Sequence, residues 1–302
     1  MKDKRILVTG ISGFIGSHLA ITVNEMFPGA RVFGVSRSKS PGTSRIRAVD
    51  LLDSDEISAV IEELRPDYIF HMAGVTHTHD LDRLYRGNVE IMVNLLEAVK
   101  TTAHQCRVVI PGSAAEYGQV PPGKLPITED QPPRPISLYG VAKAWQTTVA
   151  VYYASRGVDI VIGRVFNVIG RGMSENLSVG AFASQLKKFQ KSEEKFSIKV
   201  GNLKPKRDFL DIDDVSRALI ALALKGTSGQ IYNVCSGGSI SMSEVLKKLI
   251  DQIDVEVEVV VDAERIKAAD ISDSFGSYQK LKSATGWRPA VSLDESLAKL
   301  MS

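Results

Sequence analysis

Thr9-Gly10-Ile11-Ser12-Gly13-Phe14-Ile15-Gly16 is the stretch that decides the fold. It follows a short apolar run, 5–9, and opens an amphipathic segment over 13–27. Glycines spaced GxxGxxG between a strand and a helix have separate duties. Gly10 permits a tight turn, Gly13 lets backbone come close to a diphosphate, and Gly16 lets helix and strand pack closely. The N–H groups left free at the helix start then face the phosphates. The expected dinucleotide ligands here are Gly10, Ser12, Gly13, Phe14, Ile15 and Gly16.

Outward from this loop, apolar runs alternate with amphipathic ones. Strands read at 31–36, near 46–50, at 67–71, 106–111 and 158–163, with helices over 54–64, 82–100 and 137–155. That rhythm predicts an α/β fold, a doubly wound parallel sheet of Rossmann type with helices on both faces. Strand runs that are apolar throughout fit burial on both sides. After residue 165 the rhythm loosens. Residues 169–178 read as a loop, 179–191 and 211–225 as helices, and 230–234 as one more strand. A helix over 242–252, a strand over 255–261 and helices near 278–285 and 292–301 complete the chain. The expected division is a nucleotide-binding lobe, 1–168 plus about 210–235, and a smaller C-terminal substrate lobe, 169–209 and 236–302.

Composition narrows the function classes. The 302 residues are 44% hydrophobic and 24% charged, an ordinary globular mix. Thirty-seven Lys and Arg against 35 Asp and Glu leave +2, without the basic excess of a nucleic-acid binder. The densest positive stretch, Lys187, Lys188 and Lys191, stands beside Glu193 and Glu194 and reads as a solvated helix end. Cys106 and Cys235 lie far apart and no Cys/His cluster exists, so neither a metal site nor a disulfide framework is expected. The apolar run before Gly10 is too short for a signal peptide, and nothing approaches the roughly 20 apolar residues of a membrane span. The expected location is the cytoplasm, with no membrane and no nucleic-acid partner.

Chemistry-bearing residues fall at strand ends and on one helix. The second strand ends Val35-Ser36-Arg37, where an NAD site usually carries an acid for the ribose 2′-hydroxyl. A hydroxyl and a guanidinium suit a 2′-phosphate instead, which favours NADP(H), with NAD(H) the alternative. The other reading of Arg37 is one surface charge among Arg31, Lys39 and Arg45. Asp50 and Leu51, after the third strand, are placed to meet the adenine. Tyr139 and Lys143 form YxxxK, which puts ammonium and phenol on one helix face. A nearby cation stabilises phenolate and makes the tyrosine a usable acid or base. A second match, Tyr278 and Lys282, falls in the smaller lobe and reads as structural. Ser113 ends the strand at 106–111 and so reaches the carboxyl edge of the sheet, where ligands of open α/β folds bind.

Taken together these residues resemble the extended short-chain dehydrogenase/reductases that act on nucleotide sugars. The carrying motifs are TGxxGFIG, His71-Met72-Ala73-Gly74, Asn88, Ser113 four residues before Tyr117-Gly118, and Tyr139-xxx-Lys143. Further matches are Arg164-Val165-Phe166-Asn167, Arg207-Asp208-Phe209-Leu210-Asp211, Tyr232-Asn233-Val234 and Gly286-Trp287-Arg288-Pro289. The likeness spans nearly the whole chain. It implies catalysis by Ser113, Tyr139 and Lys143, and a homodimer through the helices at 82–100 and 137–155. It adds Met72, Ala73, Gly74 and Asn88 to the cofactor site. It implies substrate contacts from Thr76, Ser113, Asn167, Leu177, Val179, Val200, Asn202, Arg207 and Arg265, with Leu177 and Val179 at a guanine or, equally, in plain core packing.

The segment Ser113-Ala114-Ala115-Glu116-Tyr117 separates members of that family. Its 4,6-dehydratases carry Thr at the place of Ser113 and a glutamate two before the tyrosine, which removes the C5 proton. Here that place is Ala115, and Glu116 falls one residue later, which in an extended segment turns it to the other face. The chain is more similar to the reductases of GDP-4-dehydro-6-deoxy-D-mannose, through Val200-Gly201-Asn202-Leu203 and Cys235-Ser236-Gly237 among other stretches. That likeness implies an NADPH-dependent reduction of the C4 ketone of a GDP-4-dehydro-6-deoxyhexose to GDP-D-rhamnose. A dTDP- or CDP-linked 4-ketoreductase and a 4-epimerase, which share the Ser–Tyr–Lys set, stay open. One departure is Ser277, where many relatives carry Asp.

Overall fold

The computed structural model describes residues 1–37, 45–76, 78–102, 105–188, 196–253, 256–265 and 271–302. Seven strands form the central sheet: β1 (Arg5–Thr9), β2 (Arg31–Ser36), β3 (Ile46–Ala48), β4 (Tyr68–His71), β5 (Arg107–Ser113), β6 (Asp159–Val165) and β7 (Ile231–Val234). They lie in the order β7-β6-β5-β4-β1-β2-β3. Every pairing is parallel. The expected doubly wound parallel sheet is therefore present. The order reverses between β1 and β4, and the ends of those two strands open the crevice where such sheets bind ligands.

Alternation along each strand builds two cores. Leu7, Ile69, Val108, Ile110, Ile160 and Ile162 face one side with Ile57, Leu95 and Ala150. Ile6, Val8, Phe70, Val109 and Val161 face the other with Leu19, Val23, Leu219 and Leu222. The first side is covered by α2 (Ser54–Leu64), α4 (Ile91–Thr101) and α5 (Leu138–Ser155), the second by α1 (Phe14–Met26) and α7 (Ile212–Lys225). Burial on both faces explains the apolar middles of these strands, whose polar residues fall mostly toward their ends. Side-chain caps set the helix starts, with Asp53 accepting from the Asp55 and Glu56 amides, Ser137 from Gly140, and Asp211 from Asp213.

A third apolar cluster lies outside the sheet. Val179, Phe182 and Leu186 of α6 (Ser178–Lys187) meet Val245, Leu246 and Leu249 of α8 (Met242–Ile250) and Leu297 and Leu300 of α10 (Leu293–Met301). Asp214 ties this part to the sheet. Its buried carboxylate accepts the Ala290 and Val291 amides and the Arg217 guanidinium.

Three details differ from the sequence reading. The helix expected over 82–100 is broken: α3 (Leu81–Tyr85) passes through one π-helical stretch, Arg86–Glu90, into α4. The polar segment before Arg207 contains a strand, Phe196–Val200, which pairs in parallel with Val257–Val261. Short pairs join Asn167–Ile169 to Phe209–Asp211, and Lys206–Arg207 to both Ile240–Ser241 and Asp273–Ser274. Lys191, Glu193 and Glu194 of the proposed solvated helix end, and Lys39, lie outside the described residues. No helix among the described residues is long and apolar enough to cross a membrane.

Asp214→Ala is expected to loosen the C-terminal segment from α7. Losing a buried acceptor of several hydrogen bonds should cost about 1–3 kcal/mol, read as a lower urea midpoint at unchanged sheet content by circular dichroism.

Candidate active site at the carboxyl edge of the sheet

The glycine loop has the geometry that its spacing implied. Gly10 has φ +63, and a Cβ there would lie 2.7 Å from the Ala73 backbone. A Cβ on Gly16 would lie 2.3 Å from the Gly10 carbonyl oxygen. Gly13 caps α1 in extended conformation, and no side chain bonds the first amides of the helix. No acidic residue stands in that first turn. An exposed, uncapped N-terminus behind a close-packed glycine turn fits a dinucleotide diphosphate. Ser12 and Gly13 are exposed and Phe14 and Ile15 half-buried at this opening.

The next strand ends frame the same crevice. Thr9 Oγ1 accepts the Ala73 amide at 3.2 Å and pairs with His71 Nδ1 at 3.0 Å. His71 is fully buried, and burial together with the Lys143 ammonium holds it neutral, its pKa lowered to about 3. Met72 and Ala73 are half-buried, and Gly74 and Thr76 exposed. Ser36 is buried at the end of β2 and Arg37 is exposed just beyond it.

Ser113, Tyr139 and Lys143 come together at the end of β5 and the start of α5. Burial pushes the Tyr139 phenol up to about 12, against the downward pull of the neighbouring Ser113 hydroxyl. Lys143 is buried, and desolvation lowers it to about 8 while the Glu116 carboxylate works the other way. Its Nζ donates to the Pro111 carbonyl at 2.6 Å and to Gln146 Oε1. Gln146, itself buried, passes the contact on, since its Nε2 donates to the Asn88 carbonyl at 2.9 Å. Tyr278, by contrast, packs edge-on against Trp287 at 5.9 Å, a structural role.

Several expected ligands take different positions. Asn88 sits buried in the π-helical turn, where its amide nitrogen donates to the Val75 and Leu84 carbonyls and its oxygen accepts the Val75 amide. Its side chain is thus tied to the loop after β4, which borders the crevice. Asp50 accepts the Leu52 amide in a local turn, and the Leu51 side chain belongs to the first core. Val179 and Val200 are 1% and 0% exposed in the third cluster, so their side chains are core and not pocket lining. Leu177, just before Val179, is exposed. Asn167 donates to the Asp208 carbonyl, Asn202 accepts the Lys204 amide, and Arg207 donates to the Lys206 and Ile271 carbonyls. Arg265 donates to the Lys199 carbonyl and pairs with Asp262 at 3.4 Å.

Two functional positions escaped the sequence reading. Gln146 holds Lys143, and its only signal was a polar residue on the buried face of α5. Asp208 is buried and gathers the Ser236, Gly237 and Gly276 amides and the Ser236 hydroxyl, fixing two loops next to Asn167. Its signal was its place in the Arg207-Asp208-Phe209-Leu210-Asp211 motif.

A glycine-cradled dinucleotide crevice facing a Ser–Tyr–Lys triad defines an oxidoreductase of the short-chain dehydrogenase type. The chain belongs to the NAD dependent epimerase/dehydratase family, which it matches over residues 6–235. It is 32% identical to the GDP-6-deoxy-D-mannose reductase of Pseudomonas aeruginosa, covering 99% of this chain and 96% of that one. The structure of RMD from Pseudomonas aeruginosa complexed with NADPH superposes with a TM-score of 0.86 at 30% identity, over 99% of this chain and 97% of that one. UDP-glucose 4-epimerase of Thermotoga maritima, solved with UDP-glucose, gives a TM-score of 0.87 at 26% identity, over 98% of this chain and 97% of that one.

The glycine cradle can be tested alone. Gly16→Ala must displace the Gly10 carbonyl, so NADPH and NADH binding should weaken at least about tenfold by fluorescence titration while the protein stays folded.

Proposed function

We propose that the chain is an NADPH-dependent reductase of the C4 ketone of a GDP-4-dehydro-6-deoxyhexose, forming GDP-D-rhamnose from GDP-4-dehydro-6-deoxy-D-mannose. The carrying observation is the Ser113–Tyr139–Lys143 cluster beside the glycine cradle, in a chain similar throughout to a reductase of that name. The placement of Ser36 and Arg37 at the end of β2 supports NADPH over NADH. Bound NADPH would supply hydride to C4 of the sugar. Tyr139 gives its proton to the C4 oxygen, and Ser113 donates a hydrogen bond to that oxygen. Lys143 stabilises the phenolate left behind until solvent returns the proton. The diphosphate of the cofactor takes the amides of Ser12 through Ile15.

In this reading the third apolar cluster, within 169–209 and 236–302, forms the lobe that holds the sugar nucleotide. Arg207, Arg265, Asn167, Asn202, Thr76 and Leu177 are its candidate contacts. The enzyme works as a cytoplasmic homodimer. The support for a dimer is an apolar stripe on α5, where Leu138, Trp145 and Tyr152 recur every seventh residue and stay exposed beside Leu81 and Tyr85. The Tyr85 and Trp145 rings meet edge-on at 6.1 Å.

GDP-4-dehydro-6-deoxy-D-mannose, generated in place, should drive oxidation of NADPH faster than of NADH, with the product's C4 configuration read by NMR. Tyr139→Phe should keep NADPH binding and lose turnover by at least about a hundredfold. Turnover only with dTDP- or CDP-linked ketosugars would move the carrier assignment. Retained NAD with interconversion of unreduced sugars would mark an epimerase, the activity named for the Thermotoga relative. Separately, Trp145→Asp should turn the dimer into a monomer by light scattering, since a buried charge without a partner is disfavoured.

A further inference from the structure

Glu116 is fully buried and makes four hydrogen bonds. Its Oε1 accepts the Ser113 amide at 2.7 Å and the Thr147 hydroxyl at 3.1 Å. Its Oε2 accepts Nε and Nη2 of Arg164 at 3.1 and 2.7 Å. One carboxylate therefore joins the end of β5, helix α5 and strand β6. Thr147 lies four residues past Lys143 and eight past Tyr139, so all three share one face of α5. The partner cation is pinned as well, because Arg164 lies 4.5 Å over the Tyr117 ring and the Tyr117 hydroxyl donates to Asn233 at 2.7 Å. Of this ion pair, it is the Glu116 charge that is felt at both Tyr139 and Lys143.

We propose that Glu116 is the positioning residue of this site: it fixes the phase of α5 against β5 through Thr147 and Ser113, and it turns the negative end of a buried ion pair toward Tyr139 and Lys143. The proposal rests on the ketoreductase reading in one respect. There Tyr139 must start each cycle protonated, and a neighbouring anion favours the protonated form of both groups.

The groups facing this site are few. Lys143 meets Gln146 of its own helix and the Pro111 carbonyl of β5, with the Glu116 carboxylate and the neutral His71 of β4 acting on its charge. Tyr139 meets Ser113 and Glu116. Burial lowers Lys143 to about 8 with Glu116 opposing it. Removing the anion should lower Lys143 further, so the alkaline fall in kcat should begin at lower pH.

Two variants separate position from charge. Thr147→Val removes only the tether to α5, and kcat should fall about fivefold with KM and the alkaline limb in place. A wild-type kcat would overturn the positioning half. Glu116→Gln alone strands Arg164, so Glu116→Gln/Arg164→Met, which removes both charges at similar volume, tests the electrostatics. Its alkaline limb should move down by about one pH unit. A folded double variant whose limb stays in place would overturn the charge half. Carbon NMR of ε-labelled lysine, with the signal assigned by Lys143→Met, reads the same displacement in Lys143 without turnover. A wrong substrate would then silence the assay and leave this titration standing, whereas an unmoved Lys143 titration refutes the proposal alone.

Discussion

The reversal of strand order between β1 and β4 is the constraint on which the rest of the molecule depends. The chain leaves β1 for β2 and β3 on one side, then returns to build β4 to β7 on the other. Right-handed crossovers put helices over both faces and leave the two diverging strand ends uncovered. Only there can backbone approach a ligand, and the closeness of Gly10 to Ala73 shows how narrow that opening is. Thr9 holds it, with one hydroxyl serving both the Ala73 amide and the His71 ring. The loop after β4 is fixed in turn by Asn88, and Asn88 by the widened turn of the π-helical stretch. π-helical turns are rare and frequently lie at functional sites, and in this one the Asn88 carbonyl accepts from Gln146, which in turn accepts from Lys143.

Buried polar groups under the site, His71 Nε2 excepted, are tied together in chains, and that makes the edge rigid. Lys143, Gln146 and the Asn88 carbonyl form one chain, and Arg164, Glu116 and the Ser113 amide another. Each link is buried, so breaking one leaves a charge or a donor without water to replace it. Rigidity of this kind serves catalysis through proximity, since Ser113 and Tyr139 need a fixed separation and not merely a mean one. Asp208 performs the same service past the end of β6, where its carboxylate holds the Ser236–Gly237 and Gly276 turns against Asn167.

Much of this was legible in the sequence because it rests on periodicity. Strand 5–9 and its glycines, the YxxxK pair and the serine at a strand end each carry a local signal that survives without tertiary knowledge. What was not legible rests on contacts between distant segments. Strand pairs two residues long, such as Lys206–Arg207 with Ile240–Ser241, have no period to read. Val200 read as a substrate contact, and Val179 stayed open between a guanine and the core, because a likeness in sequence does not say which way a side chain turns. Asn88 read as a ligand for the same reason, while its hydrogen bonds run to Val75 and Leu84. Gln146 stayed hidden because a glutamine on a helix is ordinary until its burial is known.

Glu116 shows how one residue of offset changes chemistry. Ala115 occupies the place of the dehydratase acid, and in the 3₁₀ turn Ala114–Glu116, where the sequence reading expected an extended segment, the carboxylate one residue later is buried in the protein. To act as a base it would have to leave Arg164, Thr147 and the Ser113 amide together. Breaking a buried pair by removing one partner costs about 3–5 kcal/mol, because the other charge is left alone in a low dielectric. An acid so held cannot travel within a catalytic cycle, which argues against a dehydratase on grounds independent of similarity. On the proposed reading Tyr139 carries the proton, with Ser113 to orient the oxygen and Lys143 to balance the charge. That set moves one proton against one hydride, the stoichiometry of reducing a ketone.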